Sequence, residues 1–147
     1  MSASYQKGYG VASAASSRRA WYGAAVDARH HWIVWDEECG FCRRAVDWAL
    51  ARDRAHLFQA VPYQEVADPP MTPTRRAACR EAVHVRTLDD RWLRGGRACL
   101  FVLARVGWPR LAHIASFPPL VWLVELGYRI VAANRPFFSR LVRAGRS

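Results

Sequence analysis

The stretch "HWIVWDEECGFCRRAVDWALAR", residues 31–52, holds the pattern from which the fold follows. His31 to Trp35 is aromatic and β-branched and reads as a buried strand, ended by Asp36, Glu37 and Glu38. From Cys39 to Arg52 the spacing predicts a helix. Cys42, Val46, Ala49 and Leu50 fall on one face at intervals of three and four, while Arg43, Arg44 and Asp47 point elsewhere. Cys39 and Cys42 therefore stand where strand gives way to helix. Two thiols at this spacing can be a redox pair, half of a zinc site, or two buried small side chains.

The following segments narrow the choice. "HLFQAVPY", residues 56–63, predicts a second strand closed by Pro62, with a loop at Asp68 to Pro70. Thr72 can cap a helix that carries Pro73 at its first position, where a missing N–H costs nothing. "VHVRTL", residues 83–88, alternates like a strand, Asp89-Asp90 suits a turn, and "RWLRG" returns as the hairpin partner. Arg97 to Val106 reads as a helix after a Gly95-Gly96 turn, stopped by Gly107 and Pro109. The order β-α-β-α-β-β-α is that of an α/β, thioredoxin-like, three-layer fold with additional C-terminal helices. That fold carries its redox pair at the junction of strand 1 and helix 1, so topology and motif agree.

The 147 residues are 52% apolar and 23% charged, which suits one folded domain with a substantial core. Residues 1–28, rich in Ser, Ala and Gly, read as a flexible leader, and 29–147 as the domain, with a helical extension over about 108–143. "SRRAWYGAAV", residues 17–26, has too short an apolar run for an export signal and meets charged and histidine residues at once. The apolar stretch after Leu111 is split by Pro118-Pro119 and interrupted by Glu125 and Arg129, which predicts two helices packed on the core and no membrane anchor. A cytoplasmic location is expected. The net charge is +10, and residues 101–147 carry seven arginines against Glu125 alone. This basic region can contact an acidic surface, although a solvated helix face explains it as well.

At a helix start, unpaired N–H groups and the positive end of the backbone dipole stabilise a thiolate. Cys39 is then the nucleophile and Cys42, one turn inside, the resolving thiol of a disulfide exchange. Asp36 has two readings: a helix cap, or the acceptor of the Cys42 proton. A zinc site needs about four ligands, and Cys79 and Cys99 fall on separate helices, where they read as small packed residues. The tryptophans read as core. No metal and no cofactor is implied. The competing class is a non-catalytic binding module on the same scaffold, whose basic C-terminal region meets a membrane surface, nucleic acid or a protein partner.

Asp36, Cys39 and Cys42 form the pattern D-x-x-C-x-x-C, which resembles that of the DCC family of predicted thiol-disulfide oxidoreductases. "VPYQE", "AVHVRTLDDRWLRGGRACLFVLARV" and "LGYRIVAANR" are similar to that family too, so the likeness spans about residues 31–143. It implies a thioredoxin-like fold, a dithiol site, a protein or small-molecule thiol or disulfide as substrate, an electron donor that the sequence does not identify, and a functional role for Asp36. Two features depart from the pattern. Glu37 stands where the family often has glycine, and Glu81-Ala82-Val83 occupies the place where familiar thioredoxins set a cis-proline opposite the pair.

Overall fold

The computed structural model describes residues 28–144. Four strands and six helices follow one another as β1 (His31–Trp35), α1 (Gly40–Arg52), β2 (Phe58–Pro62), α2 (Pro73–Glu81), β3 (His84–Arg86), β4 (Trp92–Arg94), α3 (Gly95–Arg105), α4 (Pro109–Ala115), α5 (Leu120–Ala133) and α6 (Arg135–Ala144). The leader expected over residues 1–28 lies, Ala28 apart, outside the described residues.

The sheet order is β2-β1-β3-β4. β1 runs parallel to β2, with Ile33 opposite Ala60, and antiparallel to β3, with Ile33 opposite Val85. β3 and β4 form the expected hairpin, Val85 facing Leu93. Side chains alternate across β1, so its apolar run feeds both faces. Ile33 and Trp35 join Val46 and Ala49 of α1 and Ala98 and Val102 of α3 in one core. Trp32 and Val34 join Val61, Met71 and Cys79 in the other, beneath α2. These are the three layers of a thioredoxin-like fold.

Local chemistry fixes the ends of the elements. Thr72 caps α2 by accepting the Arg75 N–H at 3.3 Å, with Pro73 at the first position as expected. The buried Asp53 carboxylate accepts the N–H groups of Leu57 (3.0 Å) and Phe58 (2.8 Å), so the chain turns from α1 into β2 with those donors satisfied.

Three expectations change. The helix expected to begin at Arg97 begins at Gly95, and Gly95-Gly96 is its first turn, not a turn before it. Glu125 of α5 is the reason, because its carboxylate accepts the N–H groups of Gly96 (3.4 Å) and Arg97 (3.0 Å). Gly95 has φ +59°, and a β-carbon on Gly96 would stand 3.1 Å from the Glu125 carboxyl carbon. Glycine at both places lets the carboxylate close on the helix end.

The tryptophans divide. Trp32 and Trp35 are core, but Trp48, Trp108 and Trp122 are exposed, at 41%, 51% and 66%. Finally, α4 and α5 pack on the body through one side only. Ala112 is the buried residue of α4 and Val121 that of α5, and the outer side of both helices is apolar and exposed.

Candidate active site

Cys39 occupies the N-cap of α1, with extended backbone. Its sulfur accepts the Cys42 N–H at 3.2 Å, and its carbonyl accepts the Arg43 N–H at 3.0 Å. The sulfur thus does what Ser or Asp does at other helix starts, and meets the positive end of the helix. The two cysteines are joined as a disulfide, with Cα atoms 5.2 Å apart. Cys39 is buried, only 6% exposed, whereas Cys42 is half-buried. Between them, the Phe41 ring lies 5.7 Å from that of Phe138 on α6.

Asp36 sits on the loop before the pair. Its side chain accepts the Glu38 N–H at 3.1 Å and the Gln64 side-chain amide at 2.9 Å, while its carbonyl accepts the Cys39 N–H at 3.1 Å. Gln64 also receives the Glu37 N–H at 3.4 Å. Gln64 thus braces the junction from just beyond β2, a role that sequence reasoning did not assign. The only signal for it was the "VPYQE" stretch that resembled the family. Glu37 faces Arg43 at 3.8 Å, with both side chains about half exposed, so its charge is shared with a cation and with water.

An apolar groove of about 690 Å³ opens beside Cys42. Ile33 and Val85 floor it, α1 and α3 wall it, and Tyr128 and Val131 of α5 close its far side. Val83, just ahead of β3, also lines it. The Val83 N–H donates to the Tyr128 hydroxyl at 2.7 Å, and its carbonyl accepts the Gly95 N–H at 2.9 Å. The backbone edge that familiar thioredoxins offer at this place is therefore occupied from within the chain. Tyr128 was not singled out from the sequence, because a tyrosine in an apolar helix reads as packing until its partner 45 residues away is known.

The remaining cysteines are not bonded to the pair, and Cys99 lines the same groove as Cys42. Cys79 is the buried residue of α2, its thiol 3.6 Å from His84 Nδ1, and burial pushes it up to about 11. Cys99, read from sequence as a small packed residue, is exposed on the groove wall. Desolvation against the groove wall, then the Glu125 carboxylate, push its thiol up. Neither is set up as a thiolate at neutral pH.

A dithiol pair at the first turn of the helix after β1, on a β2-β1-β3-β4 sheet, defines a thioredoxin-like protein with the cysteine arrangement of disulfide exchange. Residues 33–141 match the DCC1-like thiol-disulfide oxidoreductase family, and the chain belongs to it. No curated protein and no solved structure matches the chain.

Proposed function

We propose that the chain is a thiol-disulfide oxidoreductase in which Cys39 is the nucleophile and Cys42 the resolving thiol. The observation that carries this reading is the Cys39 sulfur at the N-cap of α1, accepting the Cys42 N–H. That hydrogen bond and the helix end favour a sulfur carrying negative charge.

In the reducing direction the Cys39 thiolate attacks one sulfur of a substrate disulfide, forming a mixed disulfide and releasing one substrate thiolate. Cys42 then loses its proton and attacks the Cys39 sulfur. The Cys39–Cys42 disulfide forms, the second substrate thiolate leaves, and protons from Cys42 and solvent complete the two product thiols. Asp36, held on the same loop by Gln64, is the proposed acceptor of the Cys42 proton, directly or through water. A donor dithiol returns the pair to the reduced state. The groove is lined by Cys42 and not by Cys39, so it suits an apolar group flanking the substrate disulfide, while the disulfide itself must reach the more buried Cys39 from beside it. A cytoplasmic setting, with its reducing poise, fits this direction.

The test is thiol alkylation and disulfide exchange of the reduced protein at neutral pH. Cys79, its thiol pushed up to about 11 by burial, holds only about one part in ten thousand as thiolate there, and Glu125 disfavours charge on Cys99. One cysteine should react far ahead of them. Cys39→Ser should abolish exchange, and Cys42→Ser should accumulate the mixed disulfide. Equal, slow labelling of all four cysteines would falsify the proposal and leave the scaffold as a binding module.

A further inference from the structure

Helices α4 and α5 present an outer surface that nothing in the described chain covers. Trp108, Leu111, Ile114 and Phe117 lie along and beside α4, each at least half exposed. On α5, Trp122, Leu123, Leu126 and Ile130 are exposed to the same degree or more. Eight exposed apolar side chains on and beside two neighbouring helices mark a surface that meets something else.

Three observations say what covers it. First, the exposed charge carried by α4, α5 and α6 is basic. Arg110, Arg129 and Arg140 are exposed on α4, α5 and α6, and the sole acid of residues 101–147, Glu125, is engaged at the start of α3. A two-fold contact between copies of this chain would set arginine against arginine, and a nucleic acid has no use for eight bulky apolar side chains. Second, a groove of about 570 Å³ borders the face at Trp122 and holds Arg91, Arg97 and Arg105 beside Phe101 and His113; Arg91 is paired with Asp89, whose carboxylate also acts on Arg105, which leaves Arg97 and Arg105 to meet an incoming anion. The Arg105 guanidinium stacks 3.4 Å from the Phe101 ring centre, and burial together with Arg91 pulls it below the ordinary arginine value. Cations crowded against an apolar wall favour an anion arriving with an apolar body. Third, no single helix among the described residues is long and apolar enough to cross a membrane, and α4 and α5 meet at 96°. Together the two helices have the length and apolar composition of a broken or re-entrant span, which makes a bilayer the apolar medium they suit.

We propose that the α4–α5 face docks on the surface of an anionic phospholipid bilayer, its apolar side chains entering the interface and the Arg97–Arg105 groove receiving a headgroup phosphate. Tryptophan at the headgroup level and arginine beside it are the side chains such an interface accepts. The proposal is independent of the redox reading, since it uses neither Cys39 nor Cys42.

The test is co-sedimentation of the full chain with vesicles of phosphatidylcholine alone and of phosphatidylcholine mixed equally with phosphatidylglycerol. Binding to the mixed vesicles should exceed binding to the neutral ones by roughly tenfold and should weaken with salt. The double variant Leu123→Ser, Leu126→Ser should lose roughly tenfold in partition, with an unchanged melting temperature and unchanged Cys39–Cys42 exchange. Arg97→Glu with Arg105→Glu should erase the preference for anionic lipid. Protein left in the supernatant with both vesicle types overturns the proposal, as does equal sedimentation of the wild type and the leucine double variant. A dimer that the leucine variant dissolves, without vesicle binding, assigns the face to a second copy instead.

Discussion

Strand β1, "HWIVW", and helix α5, "LVWLVELGYRIVAA", carry similar apolar loads, yet their fates differ. β1 is buried along its whole length, whereas α5 fully buries Val121 and leaves Trp122, Leu123, Leu126 and Ile130 in solvent. The difference lies in their neighbours. β1 is the second strand of four, with a helical layer on each face. α5 has the body on one side only, and two polar anchors fix it there: Glu125 at the start of α3 and Tyr128 at Val83. Apolar composition alone therefore does not say which surface is core. The packing of layers decides it.

Substitutions that separate the two regions should follow this division. Phe58→Ala, in the fully buried body, should cost about 3–5 kcal/mol, read as a loss of denaturation midpoint. Tyr128→Phe should cost about 1–3 kcal/mol, because it leaves the Val83 N–H without its partner on a partly buried edge. Faster amide exchange at Val83, with β1 unaffected, would place that loss at the junction between body and α5. Should β1 exchange accelerate as well, the two regions are one cooperative unit and the division fails.

Acid should act on the body next. Burial holds His84 below its ordinary value of 6.5, with Arg94 adding to the effect and the Ala82 carbonyl opposing it. Between the folded value and 6.5, the unfolded chain binds more protons. Stability is then full above 6.5 and falls as the pH drops toward the folded value. Urea midpoints measured across that window should show the slope, and His84→Gln should reduce it. His31, shifted the same way by burial and Arg105, keeps the remainder. The smallest effect belongs to the outer face: Leu126→Ser should move the midpoint by about 0.5 kcal/mol or less.

How much of this was legible in the sequence follows the range of the forces. Period-2 and period-3.6 patterns announce elements whose partners are adjacent, so β1, α1 and the β3–β4 hairpin could be read in place. Thr72 and Pro73 carry their own helix start. The first turn of α3 could not be read, because glycine is a poor local helix former and its cap, Glu125, arrives from 28 residues away. The brace from Gln64 to Asp36, also 28 residues apart, left no local signal, and only the family-like "VPYQE" stretch marked Gln64. Trp108 and Trp122 look like core to any residue-by-residue rule, since hydropathy records affinity for apolar surroundings and not whether a neighbour supplies them.

The Cys39 sulfur at the helix cap carries a reciprocity. Whatever free energy the first turn of α1 contributes to holding charge on that sulfur, the charged sulfur returns to the turn, because the two descriptions share one thermodynamic cycle. The bond is present with the sulfur uncharged in the disulfide, so charge on the reduced sulfur should tighten the Cys42 amide further. Hydrogen exchange at that single N–H, followed through a redox titration, becomes a gauge of the potential of the pair.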